Sequence, residues 1–337
     1  MRIAIFVAPI CNQLVASVMH GFRELGHTVY ANRGWCCGVY DPACWRIPVI
    51  AEWNWCQFVS DADLLELAQN PDVLVIGTVR YASVSYWEHE TDGVDAQKAA
   101  SLQLEAANRG LIDLYIDDGD YALVYSQMNG VPYYFKREPT GFRSVIALPS
   151  GLCPWLPVTA SSQDGLRPLL FSACFPMAAR RRWDRMKTLK ALADEFGDLD
   201  DIWIGPIKEP TRSRRFVATS NRQGECYLNV LQHSLSSLSL PGEGWDTFRM
   251  WEILSCGACL ISPRRIISDL SIDPPPREGK EYLGFHDDDE LVELLKHYRN
   301  ERNALATIAA AGQLWAVEHH RGVNRARKVL TTIYDTR

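Results

Sequence analysis

The sequence predicts an α/β protein made of two doubly wound parallel sheets, and three observations point to it. Apolar runs of strand length alternate with longer segments of helical periodicity along most of the chain. The length of 337 residues suits two domains at ~100 to 200 residues each. VIALPSGLCPWLP, near the middle, carries the prolines and glycine of a linker between two such series.

RIAIFVA, residues 2 to 8, reads as a buried strand. Cys11 to Leu25 follows as a helix with Leu14, Val18 and Phe22 on one face; Gly26 stops it and HTVYAN begins a second strand. The first loop, Pro9 to Asn12, lacks G-x-G-x-x-G, which argues against a dinucleotide site there. Residues 33 to 60 break the pattern and crowd Trp35, Trp45, Trp53 and Trp55 together. Such rings either stack on sugars or plug an irregular loop. A helix over Ala62 to Gln69 leads to the strand PDVLVIGTVRY, whose C-terminal end carries Thr78 and Arg80. After a helix over Gln97 to Asn108, LIDLYI delivers Asp117, Asp118 and Asp120 at the strand edge where open α/β sheets bind ligands. Clustered carboxylates raise one another's pKa, so Asp118 and Asp120 are candidate general bases; the same Asp-Gly-Asp also serves as a plain polar turn. PYYFKRE is then an edge-like strand ending in Lys136 and Arg137.

The second series opens with the strand RPLLFSACF and the helix MAARRRWDRMKTLKALADEFG. Its first turn holds Arg180, Arg181 and Arg182, whose forks match a diphosphate; a solvated basic face is the plainer alternative. DIWIGP is a strand, Lys208 to Gln223 a loop, and ECYLNVLQHSLSSLSL a helix and strand. PGEGWDTFRMWEILSCGACLIS, residues 241 to 262, packs a turn, a helix and a strand into one run. Gly242 and Gly244 make a tight loop, Asp246 suits an N-cap, Phe248, Trp251 and Leu254 share a helix face, and Gly257 ends the helix. Glycines before a helix N-terminus make an anion site, with phosphate as the obvious guest. Glu252, in so apolar a helix, either faces solvent or has a partner.

Hydrophobic residues form 47% of the chain, and a net charge of −6 removes the basic excess behind non-specific nucleic-acid binding. No apolar run approaches the ~20 residues that span a bilayer, and MRIAIFVAPI enters a strand with no signal-peptide pattern, so a cytoplasmic location is expected. Ten cysteines include no C-x-x-C pair, so reduced, buried thiols are expected; a metal held by Cys36, Cys37, Cys44 and Cys56 is the alternative.

Gly244-x-x-Thr247-x-Arg249-x-x-Glu252-x-Leu254-x-x-Gly257 resembles the donor corner of GT-B glycosyltransferases. It is most similar to their exostosin-like and CgeB-like branches, whose form is roughly G-x-x-[ST]-x-R-x-x-E-x-[LI]-x-x-G. The likeness covers most of residues 168 to 330. It implies the GT-B fold, two Rossmann-like domains facing across a cleft: residues 1–155 for the acceptor, 156–315 for the nucleotide-sugar, and a helix over 316–337 crossing back. It implies that Glu252 binds ribose hydroxyls, with Gly242, Gly244, Asp246, Thr247, Phe248 and Arg249 around the donor. Arg180 and Arg182 would reach its phosphates, and Tyr227 matches a Y-x-x-x-L helix of the family. Glu243 stands where the two-glutamate form of the motif places an acid near the sugar, although its spacing to Glu252 is one residue longer. Asn12, Arg80 and Trp53 fall on the acceptor side.

The implied activity is transfer of a sugar from a nucleotide diphosphate-sugar, UDP-sugar favoured, to a glycan or small-molecule acceptor, with no cofactor and no metal. The acidic balance argues against a modified nucleic-acid base as acceptor. The alternatives are a nucleotide-sugar epimerase or hydrolase on the same fold, and a non-catalytic nucleotide-sugar-binding protein.

Overall fold

The computed structural model describes residues 1–7, 13–32, 56–79, 93–119, 131–138, 141, 144–154, 156, 158, 169–172, 183–196, 201–204, 228, 230–242 and 244–335. The chain divides into two compact units, each with its own parallel sheet. The first contains β1 (Arg2–Phe6), α1 (Gln13–Glu24), β2 (Thr28–Asn32), β3 (Gln57–Val59), α2 (Asp61–Ala68), β4 (Val73–Val79), α3 (Gly93–Asn108), β5 (Leu114–Asp117), β6 (Tyr133–Lys136) and β7 (Val145–Ala147). The second contains β8 (Leu170–Ser172), α4 (Arg185–Phe196), β9 (Ile202–Ile204), β10 (Ser236–Leu238), α5 (Phe248–Ser255), β11 (Cys259–Pro263), α6 (Arg264–Asp269), β12 (Leu283–Phe285), α7 (Asp288–Asn300) and α8 (Arg302–His319). The last helix, α9 (Gly322–Tyr334), belongs to the first unit again.

The first sheet runs β3-β2-β1-β4-β5-β6-β7, every pair parallel. Alternation along β1 sends Ile3 and Ile5 to one face and Ala4 and Phe6 to the other. On the first face they meet Leu14, Val18 and Phe22 of α1 and Ala326, Val329 and Ile333 of α9; on the second they meet Leu64 of α2 and Leu102 and Ala106 of α3. The strand order reverses at β1 and β4, and the end of β1 is pinned there. The Asn32 Oδ1 accepts from the Val7 amide at 2.7 Å, and the Thr78 hydroxyl donates to the Phe6 carbonyl at 3.2 Å.

Two expectations need correction. β6 is not an edge strand, since it pairs with β5 on one side and β7 on the other. Lys136 and Arg137 at its end are buried against Asp117 and Asp118. Val145 to Ala147, assigned to the linker, is the edge strand β7.

The second sheet runs β12-β11-β10-β8-β9, again parallel throughout. The strand order of this sheet reverses between β8 and β10, the place where open α/β sheets bind ligands. Asp287 caps α7 by accepting from the Glu290 amide at 2.9 Å, and three acids fill its first turn, as the helix dipole favours. Among the described residues no helix is long and apolar enough to cross a membrane.

Candidate functional site

The loop from Ser239 to Thr247 leaves β10 at the reversal point of the second sheet. Its turn is closed by the Gly242 amide donating to the Gly244 carbonyl at 2.9 Å. Gly242 also makes room for an arginine: a Cβ there would lie 3.3 Å from the Nη2 of Arg185. Arg185 is 6% exposed, donates from Nε to the Pro241 carbonyl at 2.6 Å and from Nη2 to the Leu240 carbonyl at 3.3 Å.

α5 starts one residue later than the sequence suggests. Its N-cap is Thr247, not Asp246, and no side chain caps it. The buried Asp246 carboxylate instead accepts from the indole Nε1 of Trp251 at 3.0 Å, because the N–H of that fully buried ring needs an acceptor. The Thr247 hydroxyl shares a hydrogen bond with Ser239 at 2.8 Å. With the hydroxyl turned to Ser239, the Thr247 side chain makes no cap on α5.

Behind that end α5 is firmly seated. Trp251 stacks on Trp315 of α8, centroids 6.1 Å apart and planes 14° off parallel. Gln313 donates to the Ser255 carbonyl at 2.7 Å. The helix closes on Gly257 at φ 70°, where the Gly257 amide bonds to the Leu254 carbonyl and the Ala258 amide to the Ile253 carbonyl, a Schellman ending. Glu252, just over one turn from the N-cap, is 1% exposed. Phe248 and Arg249 are half-buried at the start of the helix. On the β11 side of the loop, the Arg265 guanidinium lies 5.2 Å over the Trp245 ring and bonds to Asp269.

Four cysteines are free among the described residues, in keeping with the expectation of reduced thiols. Burial pushes the Cys256 thiol up to about 12 and the fully buried Cys259 thiol higher still.

In the first unit the carboxylates at the end of β5 have basic neighbours. Asp117 Oδ2 lies 2.7 Å from the Lys136 ammonium and accepts from the Tyr134 hydroxyl at 2.5 Å, and Asp117 Oδ1 accepts from the Gly119 amide. Asp118 Oδ1 is 3.4 Å from the Arg137 guanidinium, and its Oδ2 accepts from the Leu14 amide in the first turn of α1 at 3.2 Å. Asp118 thus holds a helix start and faces a cation. Asp118 and the donor-side residues Gly242, Gly244, Asp246, Thr247, Phe248, Arg249 and Glu252 lie within the described residues. Asn12, Trp53, Arg80, Asp120, Arg180, Arg182, Tyr227 and Glu243 lie outside them, as do Cys36, Cys37 and Cys44. The residue that sequence reasoning missed is Arg185. No local signal in the sequence marks it, since its carbonyl partners, Leu240 and Pro241, stand 55 and 56 positions away.

A family model described as glycosyl transferase-like matches residues 185–331. No curated protein sequence matches the chain. Among solved structures, an alpha-glucosyltransferase in complex with UDP and a 13-mer DNA aligns with TM-score 0.62 at 10% identity, covering 99% of each chain. Anabaena HepE in complex with UDP-glucose aligns with TM-score 0.56 at 10% identity over 99% of this chain and 100% of that one. A glycosyltransferase from Rickettsia africae aligns with TM-score 0.55 at 11% identity over 98% and 97%. The chain has the fold of the GT-B glycosyltransferases, and from Arg185 onward it carries the sequence pattern of a glycosyl transferase-like family.

Proposed function

We propose that the protein is a glycosyltransferase whose donor is a nucleoside diphosphate-sugar, UDP-sugar favoured. One observation carries the reading: the glycine turn, α5 and the buried Glu252 follow in sequence from β10, the strand at the order reversal of the second sheet. The family match over the same residues supports it, as do neighbours of the same fold bound to UDP or UDP-glucose. The motif at 244–257 favours the exostosin-like or CgeB-like branch.

In the transfer, the bond between the anomeric carbon and the donor's β-phosphate oxygen breaks, and an acceptor hydroxyl oxygen forms the new bond and loses its proton. Negative charge builds on the departing diphosphate. Amides fixed at the α5 terminus meet that charge without reorganising, and together with arginines they make a metal unnecessary. Arg180 and Arg182 are the phosphate-side arginines in this proposal, Arg249 and Glu252 flank the nucleotide, and Glu243, Asp118 and Asp120 are the acid–base candidates. Tyr227 completes the donor side, and Asn12, Trp53 and Arg80 the acceptor side. The acceptor is a hydroxyl of a glycan or small molecule; a net charge of −6 disfavours a polyanionic duplex.

Calorimetric titration with UDP and UDP-glucose tests the donor. The wild-type protein is expected to bind both, and Glu252→Gln and Arg249→Ala to weaken UDP binding by about tenfold or more, since a hydrogen bond to a charged group contributes ~1.5–3 kcal/mol. Unchanged affinity in both variants overturns the assignment.

A further inference from the structure

We infer that Arg185 is the positioning residue of the donor loop: its guanidinium fixes the peptide plane between Pro241 and Gly242, and through it the path of the chain from Gly242 to the start of α5, where the donor diphosphate would bind. The inference rests on reading this corner as a nucleotide-diphosphate site.

Arg185 opens α4, and α4 follows β8, the neighbour of β10 across the reversal point. β10 ends at Leu238. The Leu240 and Pro241 carbonyls lie beyond the end of the strand, and both residues are buried. Buried carbonyls need donors, and the guanidinium reaches both. In a trans peptide the C=O and the next N–H point in opposite directions. Drawing the Pro241 carbonyl to Arg185 therefore turns the Gly242 amide the other way, toward the Gly244 carbonyl it bonds at 2.9 Å. The guanidinium and the turn bond hold one peptide plane from its two sides. Gly242 completes the fit, because a side chain at that position would press on the Nη2 of Arg185 at 3.3 Å.

α4 itself is anchored. The Thr188 hydroxyl bonds to Asp288 at the start of α7 at 2.6 Å and receives the Trp183 indole N–H at 2.8 Å, while Trp183 stands edge-on to Phe285 at 5.6 Å. The guanidinium thus transmits the position of a fixed helix to a glycine loop that has little stiffness of its own. Lysine would keep the charge but not the planar fork that serves two carbonyls at once.

The test pairs Arg185→Lys with Gly242→Ala. Hydrogen exchange in the ligand-free protein is expected to speed up at the Gly242, Gly244 and Trp245 amides in Arg185→Lys, with exchange in β10 and β11 unchanged. The UDP dissociation constant and the donor KM are expected to rise at least tenfold in both variants while the acceptor KM stays put. Wild-type exchange at those amides, or UDP binding within twofold of wild type in Arg185→Lys, overturns the inference. If Arg185→Lys does not fold, Gly242→Ala decides, and wild-type UDP binding there overturns it equally. Failure of the wild-type protein to bind UDP sinks the donor reading instead, and the exchange measurement still judges the role of Arg185 in the loop.

Discussion

Asp118 sits where a general base is expected at the end of β5, but its two oxygens face the Arg137 guanidinium and the Leu14 amide inside the protein. Removing a buried carboxylate from a buried cation costs far more than removing an exposed one. Asp118→Ala should therefore lower stability by ~3–5 kcal/mol, read by urea unfolding. A residue that only moved protons would leave the unfolding midpoint where it was. Cys256 gives a second residue-scale expectation. With its thiol pushed up to about 12 by burial, it should resist alkylation at pH 8 in the folded protein and react only after unfolding, as peptide mass spectrometry would show. Neither effect can be read from the amino-acid order. The neighbours of Asp117 across the sheet, Tyr134 and Lys136, stand 17 and 19 positions away in the sequence.

Elements were more legible than partners. Short apolar runs located β1, β4 and β5, and Gly26 and Gly257, both at positive φ, ended helices where a residue without a Cβ was needed. The misassignments share one cause. Asp246 suggested a cap because a short carboxylate readily serves the backbone next to it, and β6 reads as an edge while the buried partners of Lys136 and Arg137 are not visible. Tertiary partners, Asp117, Asp118 and the Trp251 indole, claimed them instead. The contact between α1 and α9 was invisible for the same reason, being a matter of close approach between distant residues. A Cβ on Gly322 would fall 2.1 Å from the Ser17 carbonyl oxygen, and one on Gly21 2.1 Å from the Gly322 carbonyl oxygen. Gly322→Ala must push the helices apart and should cost ~1–3 kcal/mol, visible as a lower melting temperature.

At the scale of the whole molecule, acid should weaken the second unit through a named ion cluster. Arg264 bonds to Glu278 and Glu290, tying α6 and the Pro-rich loop to the first turn of α7. Hydrogen bonds from Arg264, and after them the His286 amide, hold the Glu290 carboxyl below the ordinary value. A carboxyl depressed in the folded state binds fewer protons there than when unfolded, so its contribution is complete above the ordinary carboxylate range and fades as pH falls through the lower folded value. Arg264→Ala should accordingly move the midpoint of acid unfolding to higher pH, measured by circular dichroism. The effect should be modest, since these side chains are about two-fifths exposed.

The return of α9 to the first unit has a further consequence. The first unit is discontinuous in sequence, interrupted by the second and resumed at His320. A chain cut after His319 would keep the second unit whole but strip Ala326, Val329 and Ile333 from the first, leaving the outer face of α1 bare and prone to aggregate. The remedy is built in: the Leu152 amide already bonds to the His320 carbonyl at 2.8 Å. A short graft joining residues 1–153 directly to 320–337 should therefore yield a monomeric mini-protein that melts cooperatively, while the excised middle folds by itself.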